Sequence, residues 1–125
     1  MKFYKCERCG EIFLVINDAG VVPDCCGAPT ELLKTNTVDE VQEKHVPVIE
    51  RDGKKVTVKV GSVPHPMVPE HHIEWVVLEC GKKFQMAYLE PTGEPKAEFL
   101  VENADAKLTA YDHCNIHGLW KFEEK

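Results

Sequence analysis

The segment Val56-Thr57-Val58-Lys59-Val60 alternates β-branched apolar side chains with polar ones. Successive side chains of a strand point to opposite faces of a sheet, so this period of two predicts a strand with one buried face. The turn sequence Asp52-Gly53 precedes the segment and predicts where the strand begins. Short strands separated by turns of this kind predict a sheet-based architecture for the second part of the chain.

More strands of this kind are predicted on the C-terminal side, at Ile73–Leu78, Phe84–Leu89, Ala97–Val101, Leu108–Tyr111 and Leu119–Phe122. Turn residues separate them, and no long segment has a helical period. This spacing predicts an immunoglobulin-like antiparallel β-sandwich over residues 37–125. Thr37 and Glu40 have the spacing of a capping box, which predicts a short helical turn at the start of this domain.

Residues 1–36 form a separate predicted module that carries four cysteines. Cys6 and Cys9 form one C-x-x-C pair, Cys25 and Cys26 are adjacent, and a strand is predicted between the pairs at 12–16. Four thiolates on two glycine-flanked loops suit a closed tetrahedral metal site, and ligand type alone leaves both zinc and iron possible. The module is too short to bury a core, so a bound metal is expected to stabilise it.

The adjacent pair Cys25-Cys26 places a condition on the backbone of this module. Neighbouring side chains diverge in an extended chain, so both thiolates reach one ion only if the peptide between them is turned. We expect that turn to distort the tetrahedron.

The composition excludes several classes of function. The chain of 125 residues has 15 lysines and arginines against 21 aspartates and glutamates, a net charge of −6, and no basic run. This balance argues against a nucleic-acid partner. No segment has the length of apolar sequence that spans a bilayer, and residues 1–6 lack the features of a signal peptide. We therefore expect a cytoplasmic protein whose six cysteines are reduced.

A second candidate metal site begins at Cys114-Asn115-Ile116-His117-Gly118-Leu119-Trp120. Cys114 and His117 lie three residues apart before a glycine, so both side chains can face one ion, and thiolate and imidazole are common ligands of transition metals. Two ligands do not make a site, and the alternative is a buried structural cysteine among scattered surface histidines. The further candidate ligands are His45, His65 and His71.

Position along the chain guides the choice among the histidines. His71 shares strand parity with Ile73 and Trp75, a face that we expect to point inward, so we favour it over His72. His65 lies between two prolines, and such a rigid backbone suits a preorganised ligand as well as a rigid surface loop. His113 adjoins Cys114 and is expected to point away from it.

Four motifs together resemble the superoxide reductases: Glu43-Lys44-His45-Val46-Pro47, His65-Pro66-Met67, His71 with Trp75 downstream, and the segment 114–120. The four cysteines resemble those of desulforedoxin, so the whole chain resembles the desulfoferrodoxins, the two-iron members of that family. The resemblance implies one iron bound by Cys6, Cys9, Cys25 and Cys26. It implies a second iron with Cys114 as axial ligand and four equatorial histidines, of which His117 binds through Nδ1 and the others through Nε2: His45, His65, His71 and His117.

The resemblance also implies a reaction, the one-electron reduction of superoxide to hydrogen peroxide. Lys44 is then expected to attract the anion, and Glu43 to occupy the open iron position in the oxidised resting state. The implied partners are a rubredoxin-type electron donor and a second copy of the chain. The alternatives are a non-catalytic iron-binding electron carrier and a superoxide dismutase.

Three residues lie outside the family pattern. His113 occupies a position where we expect an aromatic residue, and His72 is a second histidine beside a ligand. Cys80 belongs to neither predicted metal set, and we interpret it as a plain thiol near a turn.

Overall fold

The structure is a computed structural model that describes residues 1–37 and 42–125. Its contacts divide the chain into two compact units, Met1–Lys34 and Thr35–Lys125. The predicted capping-box turn falls largely on residues 38–41 and so lies outside the described residues. Within the described ranges, no helix combines the length and the apolar character needed to cross a membrane.

The first unit contains five short strands, namely β1 (Phe3–Lys5), β2 (Ile12–Leu14), β3 (Asp24–Cys25), β4 (Ala28–Pro29) and β5 (Glu31–Leu32). Strands β2, β1 and β5 form an antiparallel sheet in that order, and β3 pairs with β4 as a hairpin. Phe3 and Tyr4 of the central strand are among its few buried apolar side chains. Because so small a unit buries little apolar surface, we expect a metal ion bound by its cysteines to stabilise its fold.

The second unit begins with a helical turn, α1 (Gln42–His45), and continues with seven strands. They are β6 (Pro47–Asp52), β7 (Lys55–Val60), β8 (Ile73–Cys80), β9 (Lys83–Tyr88), β10 (Lys96–Leu100), β11 (Leu108–Cys114) and β12 (Gly118–Glu123). One sheet has the order β10-β7-β6 and the other β12-β11-β8-β9, with antiparallel pairing throughout. The predicted antiparallel β-sandwich is confirmed.

The core of the sandwich lies between the inner faces of the two sheets. Val56, Val58 and Val60 of β7 are fully buried there, so the alternation that predicted this strand also identifies its inner face. Strands β8 and β11 contribute Ile73, Val76, Leu78, Leu108, Ala110 and Cys114. The core therefore ends, at one side, in a cysteine.

Asn36 attaches the start of the second unit to β12. The side-chain Nδ2 of Asn36 donates to the backbone carbonyl of Lys121 (2.9 Å), and the side-chain Oδ1 accepts from the backbone amide of Lys121 (2.8 Å). The Asn36 amide also donates to the carbonyl of Leu119 (3.2 Å). These bonds occupy backbone groups along β12 that would otherwise be exposed at a sheet edge.

Candidate metal centres

Four cysteines converge in the first unit. Cys6 and Cys9 belong to the turn after β1, Cys25 ends β3, and Cys26 follows it; their sulfur atoms all lie within 4.8 Å of one another. The distance from Cys9 Sγ to Cys25 Sγ is 3.6 Å, and from Cys25 Sγ to Cys26 Sγ it is 3.8 Å. A metal–sulfur distance of about 2.3 Å in a tetrahedron gives sulfur atoms about 3.8 Å apart. The four side chains therefore fit a single ion.

The backbone at Cys26 shows how adjacent cysteines face one ion. Cys26 has a φ of 53°, in the left-handed region, and Gly27 follows with a φ of 76°. Left-handed backbone is costly for a residue with a side chain, so the surrounding structure must enforce it. The expected turn of this peptide is present.

The charge on the four sulfur atoms is uneven without an ion. The Cys9 amide donates a hydrogen bond to Cys6, which lowers the pKa of the Cys6 thiol to about 6. The hydrogen bond between Cys25 and Cys6 raises the pKa of Cys25, and contact with Cys9 raises that of Cys26. Four thiolates repel one another at this distance, so only a cation allows all four to be charged together.

A second cluster lies at one end of the sandwich. His45 ends α1, His65 follows β7, His71 precedes β8, and Cys114 ends β11; one ligand atom from each lies within 4.8 Å of all the others. His45, His65 and Cys114 are buried. The sequence thus brings together residues from four separate segments.

His117 completes a ring of four imidazoles. Neighbouring ring centroids are 4.4 Å apart for His45–His65, 4.6 Å for His65–His71, 5.1 Å for His71–His117 and 4.9 Å for His117–His45. Each neighbouring pair meets edge to face, whereas His45 and His71 lie across the ring at 6.3 Å. The Sγ of Cys114 lies 3.9 Å from His117 Nδ1. The four rings therefore surround one point, with the Cys114 sulfur beside them, although His117 is not part of the group of His45, His65, His71 and Cys114 whose ligand atoms all lie within 4.8 Å of one another.

The hydrogen bonds of the imidazoles leave metal-binding nitrogens available. His65 Nδ1 donates to the carbonyl of Pro66 at 2.6 Å, so its Nε2 carries a lone pair. That Nε2 lies 2.9 Å from His45 Nε2, and two ligands at right angles, each about 2.1 Å from a metal, are separated by about 3 Å. His71 Nε2 is buried and has no hydrogen-bond partner among the described residues. These nitrogens fit a metal ion.

Burial sets the protonation of this cluster. Desolvation lowers the pKa of His65 to about 4 and also lowers the pKa of His71, so both imidazoles are neutral at physiological pH. Desolvation raises the pKa of the Cys114 thiol. Metal binding at Cys114 must therefore release a proton.

Asn115 and Trp120, for which the sequence predicted no separate role, stabilise the cluster. Asn115 accepts from the His72 amide (2.9 Å) and donates from its side chain to the Glu70 carbonyl (3.0 Å). These bonds join the segment of His71 to the segment of Cys114. Trp120 stacks on His45 with ring centroids 4.8 Å apart, and its indole nitrogen donates to the His117 carbonyl (3.2 Å). Asparagine and tryptophan lack the chemistry of ligands, so composition gave no signal for these roles.

Glu43 and Lys44 lie on the exposed side of α1, directly before His45. The Glu43 carbonyl accepts from Ser62 Oγ (3.1 Å) and from the Val63 amide (3.0 Å). Gly61 packs so closely that a Cβ there would lie 2.6 Å from that carbonyl oxygen. Burial lowers the pKa of His71 most, and the charges of His117, His72 and Lys44 lower it further. Lys44 directly precedes His45 on the same helical turn.

The alternation that favoured His71 over His72 does not continue along β8. Ile73, Val76 and Leu78 belong to the core cluster, whereas Trp75 and Val77 are buried outside that cluster, because the register of β8 against β11 shifts by one residue near Ile73. The structure nevertheless brings His71 into the cluster, whereas His72 Nδ1 contacts the Val68 carbonyl (3.1 Å).

Cys80 and His113 belong to neither cluster of the described residues. Cys80 is a free, half-buried thiol. His113 is buried on the other face of β11, where its Nδ1 donates to Glu74 Oε1 at 2.8 Å.

Comparison with known proteins identifies the family. The family model described as Desulfoferrodoxin matches residues 37–123. The chain belongs to the desulfoferrodoxin family. A desulfoferrodoxin homolog of Archaeoglobus fulgidus is 49% identical over 121 residues, which cover 97% of this chain and 95% of the relative. The two clusters are accordingly the two iron sites of a desulfoferrodoxin, one with four cysteines and one with histidines and a cysteine.

Solved structures agree with this membership of the desulfoferrodoxin family. The crystal structure of the superoxide reductase from Treponema pallidum has a TM-score of 0.79 and 36% identity, covering 97% of this chain and 95% of that chain. The one-iron superoxide reductase of Giardia intestinalis has a TM-score of 0.59 and 31% identity, covering 66% of this chain and 98% of that chain.

Proposed function

We propose that this desulfoferrodoxin is a superoxide reductase that converts superoxide to hydrogen peroxide without producing dioxygen. The relatives named superoxide reductase support this activity. The observation that carries the proposal is the ring of four imidazoles with the Cys114 thiol beside it at the end of the core. In this proposal the iron would be held by five residues, namely His45, His65, His71, His117 and Cys114.

Iron held by these residues would supply the electron that reduces superoxide, and two protons from solvent would complete hydrogen peroxide. The protein residues have simpler tasks. The imidazoles are kept neutral by burial and are oriented by contacts such as the His65–Pro66 bond. The buried Cys114 thiolate would donate electron density to the iron, as thiolates do in haem enzymes.

The exposed pair Glu43 and Lys44 controls access in this proposal. Lys44 carries the positive charge that attracts superoxide, and its exposed position directly before His45 supports this role. Glu43 would supply its carboxylate to the iron in the oxidised resting state. Hydrogen bonds from Ser62 and Val63 to the Glu43 carbonyl hold the backbone from which both side chains project.

The first unit binds its iron through Cys6, Cys9, Cys25 and Cys26 and is proposed to act separately from the histidine site. We further propose a rubredoxin-type electron donor, a homodimer and a cytoplasmic location. These assignments rest on the family resemblance and on the reduced state that four metal-binding thiols require.

The stoichiometry of the reaction tests the proposed activity. The reduced protein should be mixed with a known amount of superoxide, and hydrogen peroxide and dioxygen should both be measured. A reductase forms one peroxide per superoxide and no dioxygen. A dismutase forms one peroxide and one dioxygen from two superoxide ions, and an electron carrier consumes superoxide slowly or not at all. Zinc-substituted protein is the matched control, because zinc has no redox chemistry.

A further inference from the structure

A β-bulge lies directly beside Cys114. In the pairing of β11 with β8, Asp112 faces Val76 and His113 faces Trp75, but Cys114 faces Ile73. Glu74 is therefore an extra residue of β8 with no residue of β11 opposite it. Bulges of this kind redirect the side chains that follow them, and they occur often beside active sites.

The bulge decides which residue of β8 lies next to Cys114 in the core. Val76 and Leu78 point into the core, so uninterrupted alternation would place Glu74 on the same face. Instead Ile73 occupies that place, and it is fully buried with Cys114. A carboxylate in that position would have to be buried in apolar surroundings beside a sulfur ligand, at a cost of several kcal/mol.

The side chain of Glu74 forms a hydrogen bond across the bulge. Its Oε1 accepts a hydrogen bond of 2.8 Å from His113 Nδ1, and the Glu74 side chain is 39% exposed against 2% for His113. The His113 ring lies flat on Trp75, with centroids 5.2 Å apart and planes 8° from parallel. Side chains on both strands thus connect the residues at which the register changes.

We infer that Glu74 and His113 are positioning residues for the axial thiolate: their hydrogen bond fixes the bulge and thereby the direction in which Cys114 Sγ points. The inference rests on the proposed function of Cys114 as an iron ligand. Neither residue is part of the metal cluster, so both act through the backbone. His113 departs from the aromatic residue expected in the family pattern, and its imidazole combines flat stacking with a hydrogen bond that a phenyl ring cannot make.

Three variants test this inference. His113→Phe keeps an aromatic ring against Trp75 but removes the donor. Glu74→Ala removes the acceptor, whereas Glu74→Gln keeps an acceptor oxygen at the same place. Glu79→Ala is the matched control, since Glu79 belongs to the same strand and faces Thr109 away from the bulge. The readouts are the cysteinate-to-iron charge-transfer absorption, the reduction potential and the iron affinity of the histidine site.

We expect His113→Phe and Glu74→Ala to shift the charge-transfer band and the reduction potential, and to weaken iron binding by about tenfold, as loss of a supporting contact does at other metal sites. Glu74→Gln and Glu79→Ala should resemble the wild type. The far-ultraviolet circular dichroism of the strands serves as the control for folding of the β-sandwich, and His113→Phe and Glu74→Gln still decide the matter if Glu74→Ala does not fold.

Unchanged spectra, potentials and affinities in His113→Phe and Glu74→Ala would overturn the inference. A Glu74→Gln shift as large as that of Glu74→Ala would also overturn it, because the hydrogen bond would then not be the cause. Absence of any cysteinate band from the wild-type protein would contradict the proposed ligation by Cys114 itself. The two failures are therefore distinguishable.

Discussion

Lys44 is the residue whose charge has the most direct expected effect on the reaction. It is exposed, it adjoins His45, and its charge lowers the pKa of His71 beside the larger effect of burial. The chain carries a net charge of −6, which weakly repels superoxide at long range. Close to the site, a local cation outweighs distant charges because the field depends on proximity.

We therefore predict that Lys44→Ile slows the bimolecular reaction of the reduced protein with superoxide by about 3- to 10-fold, the range that an exposed and partly screened cation allows. Pulse radiolysis measures this rate. The wild-type rate should also fall as salt is added. Lys82→Ile is the control, since Lys82 follows the opposite end of β8. Equal losses in the two variants, or a wild-type rate that rises with salt, would show that Lys44 has no special effect.

For single residues, the sequence predicted which side chains could bind metal but not which hydrogen bonds hold those side chains in position. Histidine and cysteine can be recognised in a sequence as candidate metal ligands because few side chains bind transition metals. Asn115 and the Pro66 carbonyl act through ordinary hydrogen bonds, and such bonds depend on which segments meet in the fold. His71 lies in the cluster, although the bulge interrupts the alternation that favoured it over His72.

Strand β11 carries a second unusual residue, Asp112, two positions before Cys114. It lies opposite Val76 and Trp120 and is completely buried. Neither of its carboxyl oxygens has a hydrogen-bond partner within residues 1–37 and 42–125. Desolvation raises the pKa of this carboxyl group well above its usual value.

The raised pKa makes the stability of the protein depend on pH. Below the ordinary pKa of aspartate, the folded and unfolded chains are both protonated, and ionisation of the group makes no difference to stability. As pH rises above that value, the unfolded chain loses the proton more readily than the folded chain, so stability decreases. The free energy of unfolding should therefore fall from pH 5 to pH 7 by this contribution.

We predict that Asp112→Val raises the free energy of unfolding by about 1–3 kcal/mol at pH 7, since it replaces unsatisfied buried oxygens with methyl groups of similar shape. Denaturant unfolding at pH 5, 6 and 7 measures the gain, which should increase with pH. Asp112→Asn is the matched variant: it removes the titration but keeps polar atoms, so its gain should be smaller. A less stable Asp112→Val protein would mean that the carboxyl group makes a stabilising interaction.

The elements themselves were largely predictable because their periods are local. The strands Lys55–Val60 and Ile73–Cys80 lie where alternation and apolar content placed them. The bulge was not predictable, since a register shift depends on the partner strand and on where Cys114 must point. A local pattern contains no information about either.

At the scale of the whole molecule, the two iron sites draw their ligands from different units. The four cysteines of the first site lie within Met1–Lys34, and the cluster of histidines with Cys114 lies within Thr35–Lys125. Each unit has its own sheets and its own hydrogen bonds. This division favours separate loading and separate loss of the two ions.

We predict that Cys9→Ser abolishes the absorption of the four-cysteine iron and unfolds much of the first unit, because so small a unit depends on its metal. The rate of the reduced histidine site with superoxide should change by less than about twofold, as expected for independent sites. Iron analysis and stopped-flow mixing measure both effects. A variant that keeps its histidine-site iron but no longer reacts with superoxide would show that the four-cysteine iron takes part in the reaction.

The contact at Gly61 limits how this protein can evolve. A Cβ at residue 61 would lie 2.6 Å from the Glu43 carbonyl oxygen and 2.8 Å from the Lys44 carbonyl carbon. These are backbone atoms, which cannot rotate aside as a flexible side chain can. Any lineage that replaces Gly61 must move the chain that presents Glu43 and Lys44. Variation at residue 61 is thereby coupled to the position of the two residues that we propose control access to the histidine site, so a substitution there requires a compensating change in their backbone.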